Sequence, residues 1–147
     1  MNRPLSAYYE VSNDISLTEV RKTDQQALVK HLNDIEIFEN TLYIPFPYSN
    51  EDALEYIELC KTIENKFNVI ANFAIRFRSE LVGGIGLLYN HGFEAHKSEI
   101  GYWISKQYRD QGIMKQVLKE FIRICFEERK LTRLEANVFP NNTASCR

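Results

Sequence analysis

From Glu99 onward the chain carries a short apolar run (Glu99-Ile100-Gly101-Tyr102-Trp103-Ile104), then Arg109-Asp110-Gln111-Gly112-Ile113-Met114, a long amphipathic stretch, and a second short alternating run. This order admits few folds. A strand that passes through a glycine into a helix, followed by another strand, is a β-α-β unit, and it places this chain in the α/β class. The first strand aims the chain, Gly112 lets the backbone approach a ligand, and the first helical turn offers N–H groups and a positive dipole end to an anion. Arg109 adds a positive charge beside it. The junction therefore reads as a phosphate cradle.

The helix after the cradle repeats Met114, Val117, Leu118, Phe121, Ile122 and Cys125 at i, i+3, i+4 spacing, the stripe expected to be buried. Leu134, Ala136 and Val138 alternate with Glu135 and Asn137 in a strand that Pro140 ends. Upstream, Ile15 to Val20 reads as a first strand. Thr23, with Gln26 three residues on, predicts a capping box for a helix through Leu28 and Leu32. In Tyr43-Ile44-Pro45-Phe46-Pro47-Tyr48 two prolines rule out helix interior. Its aromatics either pack or line an acceptor pocket. Ser49 and Asp52 open another helix, with Ala53, Leu54, Ile57 and Cys60 or Ile63 at helical spacing. Phe73 to Phe77 and Leu81 to Leu88 read as a hairpin turning at Ser79-Glu80, and after a loop with His91 and His96 a third strand runs from Ser98 to Ser105.

With 44% hydrophobic residues the 147-residue chain can bury one substantial core, and a single domain over 1–147 is expected. The formal net charge of −2 gives no bulk reason to expect nucleic acid or an anionic membrane as partner. Phosphate recognition has to be local. Cys60, Cys125 and Cys146 are odd in number and match no zinc spacing, and no apolar leader precedes the first strand. A cytoplasmic protein with reduced thiols and no metal is the expectation. His31, His91 and His96 match no metal or nucleophile motif and are read as surface or loop residues.

Taken together, Ser98-Glu99-Ile100-Gly101-Tyr102-Trp103, Arg109-Asp110-Gln111-Gly112-Ile113-Met114 and Val138-Phe139-Pro140-Asn141-Asn142-Thr143-Ala144-Ser145 resemble GNAT acetyltransferases of the RimJ/RimL-like branch. Pro47-Tyr48-Ser49 and Leu81-Val82-Gly83-Gly84-Ile85-Gly86 sit where that family has its inter-helix loop and hairpin. The resemblance implies a mixed β-sheet that splays open, flanked by helices, with acetyl-CoA in the gap and its pyrophosphate on Arg109, Asp110, Gln111, Gly112, Ile113 and Met114. Met114 stands where the family prefers Gly or Ala. Backbone N–H groups near Trp103 or Ile104 would meet the developing oxyanion, and Asn142 would hydrogen-bond the pantetheine arm.

An attacking amine must be neutral, yet a lysine ammonium with a pKa of about 10.4 is almost wholly protonated at pH 7. A proton acceptor is needed. The resemblance points to Glu99, acting directly or through one water. As acceptor the resemblance implies a protein N-terminal α-amine or, next to it, a small amine or polyamine. The alternative function is a non-catalytic acyl-CoA-binding module, or an inactive relic acting through a partner. Gly83-Gly84-Ile85-Gly86 is no dinucleotide fingerprint, because no helix follows it, and no Lys-Ser/Thr makes the cradle a P-loop. The resemblance also implies a further helix and two strands beyond Arg147. The chain is thus expected to be C-terminally incomplete, without a nameable general acid, and prone to form a homodimer through the exposed strand Leu134 to Val138.

Overall fold

The computed structural model describes residues 8–39, 41, 44–67, 70–88, 97–128 and 133–136. Asn142, Ser145, Tyr43, His91, His96, Val138 and Cys146 lie outside them. Six strands form one sheet in sequence order: β1 (Tyr9–Glu10), β2 (Ile15–Glu19), β3 (Asn72–Phe77), β4 (Glu80–Leu88), β5 (Lys97–Ile104) and β6 (Arg133–Ala136). Neighbours are antiparallel up to β5. The β5–β6 pair is parallel, as a helical crossover requires. The helices are α1 (Gln25–Leu32), α2 (Ile35–Glu39), α3 (Asn50–Phe67) and α4 (Ile113–Arg123). Strand β1 and helix α2 are too short to leave a periodic signal.

Alternation along the strands divides the core into two layers. On one face Leu17, Phe73, Ile75, Ile85 and Ile100 pack against Ile113, Val117, Phe121 and Ile124 of α4 and its extension. The rings of Phe73 and Phe121 meet edge to face at 6.0 Å. On the other face Val20, Ala74 and Leu81 pack against Leu28, Leu32, Ala53, Ile57 and Cys60 of α1 and α3. Burial pushes the Cys60 thiol up to about 12, so it is a packing group and not a nucleophile.

Four local expectations shift. The hairpin turns at Arg78-Ser79, not Ser79-Glu80; both residues have positive φ (50° and 74°), as a two-residue turn matched to strand twist demands, and Glu80 begins β4. The box before α1 uses Asp24, whose Oδ2 accepts the Arg21 N–H at 2.7 Å, because a single 3-10 turn (Lys22–Asp24) precedes the helix and displaces Thr23 and Gln26 from the cap. Ile122 is exposed while Ile124 is buried. The row Met114, Leu118, Ile122 drifts about 40° per step around a 3.6-residue helix and so moves out of the core. The Ser49–Asp52 box forms as expected: Ser49 Oγ accepts the Asp52 N–H at 3.1 Å and Asp52 Oδ2 accepts the Ser49 N–H at 2.8 Å. Within α3, however, Leu54 is exposed. It follows Ala53 by one residue, a step of about 100° away from the buried row.

Candidate active site

The β5 strand changes partners along its length. Its ladder to β6 covers Lys97 to Ile100, opposite Arg133 to Ala136, whereas its ladder to β4 continues to Ile104, opposite Gly83. The described part of β6 thus reaches Ile100, and β5 continues beyond it along β4. Gly101 is exposed there, and a side chain in its place would meet no atom within 4 Å. Glu99 sits two residues before Gly101, in register with Leu88 of β4 and Glu135 of β6.

The glycines of β4 serve the strand beside them. A Cβ on Gly84 would stand 2.5 Å from the indole nitrogen of Trp103, and one on Gly83 would stand 2.6 Å from the Trp103 carbonyl oxygen. Only bare backbone lets β5 and the half-buried Trp103 lie this close. The Gly-rich run is thus a packing surface, in keeping with its lack of a following helix.

After Ile104 the chain leaves the sheet at Ser105, whose N–H still donates to the Val82 carbonyl at 2.8 Å. A 3-10 turn (Lys106–Tyr108) leads to Arg109, and then Asp110 (φ 61°) and Gly112 (φ 77°) adopt left-handed backbone. Aspartate tolerates that region better than most side chains, and glycine occupies it freely. Gly112 caps α4, accepts the Gln116 N–H through its carbonyl at 3.2 Å, and has open space over its Cα. Ile113 is buried, and Met114 packs its side chain against the α4 core. The first amides of α4 thus follow a backbone that no side chain at Gly112 covers, a surface that fits an anion.

Arg109 is not the isolated cation that the motif suggests. Its Nη1 donates to Glu36 Oε2 at 2.9 Å, its Nη2 to Asp34 Oδ2 at 3.1 Å, and its Nε to the Ile104 carbonyl at 3.3 Å. Asp34 also caps α2, accepting the Glu36 N–H through Oδ1 at 2.9 Å. Two carboxylates thus outweigh the guanidinium locally, which leaves the backbone amides as the stronger features for an anion.

His31 is buried, contrary to the surface reading. It lies on the inner face of α1 with Leu28 and Leu32, at the spacing that marks a buried row, and its two ring nitrogens are bonded to Ser105 and Glu80. The helical position of His31 was legible. No local pattern announces Asp34, Glu36 or Ser105, because their partners come from elsewhere in the chain. Of the aromatic loop, Tyr48 is buried in the α1–α3 layer, while Phe46 is exposed with its ring 6.2 Å from that of Phe38. Among the described residues no three His, Cys, Asp or Glu side chains gather as a metal site would require. No helix among them is long and apolar enough to cross a membrane.

The sequence model of the family described as "Acetyltransferase (GNAT) domain" matches residues 14–147. The chain belongs to the GNAT acetyltransferase family. Over 67 residues, 46% of this GNAT chain, it is 33% identical to the probable N-acetyltransferase YjcK of Bacillus subtilis (strain 168), and it spans 37% of that protein's length. Its fold is similar to that of RimL, a ribosomal alpha-N-protein acetyltransferase in complex with coenzyme A, with TM-score 0.83 and 17% identity over 95% of this chain and 79% of that one. It is also similar to the Microcin C7 self-immunity acetyltransferase MccE in complex with acetyl-CoA and AMP, with TM-score 0.75 and 18% identity over 92% of this chain and 76% of that one. At these identities the likeness is one of fold.

Proposed function

We propose that this GNAT domain transfers the acetyl group of acetyl-CoA to a primary amine, with the donor lying along β5 beyond Gly101 and its pyrophosphate on the amides of Gly112, Ile113 and Met114. The observation that carries this reading is the run of β5 through the exposed Gly101 to Ser105, where the chain turns to the left-handed Gly112 at the head of α4, with nothing within 4 Å of where its side chain would be. Backbone N–H groups near Trp103 and Ile104 would polarise the thioester carbonyl. Asn142 would hold the pantetheine arm. Glu99, two residues before Gly101, would take one proton from the substrate ammonium; the neutral amine would then attack the thioester carbonyl, and as the C–S bond breaks CoA would leave as the thiolate and take up the second proton released from the amine nitrogen. The fold of RimL, and the RimJ/RimL-like motifs, favour a protein N-terminal α-amine as acceptor over a small amine. The same reading sets the protein in the cytoplasm.

Mass-spectrometric identification of acetylated products from a panel of peptides and small amines tests the acceptor. Glu99→Gln tests the base. We expect unchanged CoA affinity and a fall in kcat of roughly 10²–10⁴, shrinking as pH rises and the amine loses its own proton. An unaltered pH–rate profile in the variant would remove Glu99 from the reaction. CoA binding without turnover of any amine would leave the binding-module alternative.

A further inference from the structure

We infer that His31, acting through Ser105, is a positioning residue that sets the shape of the loop from Ser105 to Gly112; its effect on the donor rests on the reading that this loop holds the CoA pyrophosphate. The His31 side chain is 2% exposed. Its Nε2 lies 3.0 Å from Glu80 Oε2 and its Nδ1 lies 2.8 Å from Ser105 Oγ. A carboxylate only accepts, so Glu80 selects the tautomer that carries the proton on Nε2. Nδ1 is then left to accept the Ser105 O–H. The ring also stands edge-on to Tyr108 at 6.3 Å.

Ser105 is the hinge of this region. Its N–H closes the β4–β5 ladder on Val82, and its carbonyl accepts the Tyr108 N–H at 2.9 Å to start the turn before Arg109. Three residues beyond His31, Asp34 holds Arg109 at the far side of the same turn. The end of α1 and the cap of α2 thus grip both ends of the Ser105–Arg109 segment, through a hydrogen bond from His31 at one and an ion pair from Asp34 at the other. A purely structural histidine on the Leu28–Leu32 face would be replaceable by an apolar side chain. Here a buried polar ring contacts the residue at which the strand becomes the loop.

The two amides that mimic a histidine separate the contacts. The Asn side-chain amide occupies the Nδ1 position and keeps Ser105, whereas the Gln amide occupies the Nε2 position and keeps Glu80. His31→Gln and Ser105→Ala are expected to weaken CoA by about three- to tenfold in titration calorimetry, the loss of one neutral hydrogen bond. The deficit should fall on KM for acetyl-CoA, with kcat at saturation nearly unchanged. His31→Asn should restore most of the affinity. Without any ligand, amide hydrogen exchange over Lys106–Met114 should rise in His31→Gln and Ser105→Ala and remain near wild type in His31→Asn. Equal behaviour of the Asn and Gln variants, or wild-type exchange in Ser105→Ala, would overturn the inference. A wild-type chain that fails to bind CoA would overturn the functional reading instead, and the exchange measurement would still judge the clamp.

Discussion

Arg76 reaches from β3 to Asp24 at the head of α1 and places Nη1 and Nη2 each 2.8 Å from a different carboxylate oxygen, a bidentate pair with both side chains 7% exposed. Its Nε donates to Thr18 Oγ1 at 2.8 Å, and Asp24 Oδ2 also accepts the Arg21 N–H. With Nη2 also donating to the Glu19 carbonyl at 3.4 Å, the guanidinium makes four hydrogen bonds, which is what makes an ion pair tolerable beneath a helix.

Breaking this pair from one side leaves a buried charge without its partner. Arg76→Met is expected to lower the unfolding free energy by about 3–5 kcal/mol in urea titrations at pH 7. The double variant Arg76→Met, Asp24→Leu should recover a large part of that loss. Additive effects of the two single changes would mean that the pair is not coupled.

Arg109→Ala should weaken CoA by about tenfold, or about 1.4 kcal/mol, through the loss of the link to Asp34, Glu36 and the Ile104 carbonyl. Asp34→Asn discriminates the route. If Arg109 acts by holding the loop, Asp34→Asn also weakens CoA, whereas a guanidinium released to meet the pyrophosphate would bind CoA more tightly. We expect weakening, read by calorimetry at low and moderate salt.

Glu64 on α3 is 5% exposed, and its Oε2 has no hydrogen-bond partner among the described residues. Burial pushes its pKa above the ordinary carboxylate value; Lys61 opposes this and Glu19 adds to it. The folded state therefore binds a proton more tightly than the unfolded chain, so this group's contribution to stability is greatest below the unfolded pKa and is lost as pH rises through the folded one. Glu64→Gln should raise the urea midpoint at pH 8 and have less effect at pH 4. A variant that is less stable than wild type at pH 8 would show that the carboxylate is favourably held.

Most of the scaffold was legible because covalent spacing encodes it. The run Phe73, Ala74, Ile75 bounded by turn residues marks a strand, and Val117 and Phe121 mark one face of a helix whatever lies opposite. The Ser49–Asp52 box is local in the same way. The site was legible in part: the strand, the loop and Gly112 follow from their order along the chain, and the loop from Ser105 to Gly112 joins the end of β5 to the head of α4.

What the sequence by itself determined was the succession of elements and the glycine at the head of α4, since each depends on residues within a few positions of one another. Tertiary structure alone decided which charges and rings meet. Arg109 becomes a clasp for Asp34 and Glu36, His31 becomes a buried bridge between Glu80 and Ser105, and Arg76 finds Asp24, because packing α1 and the start of α2 against β4 and β5 brings together groups that lie far apart along the chain. No periodicity records such pairs; burial selects them, since a charged or polar group taken out of water is retained only where a partner replaces the water it has lost.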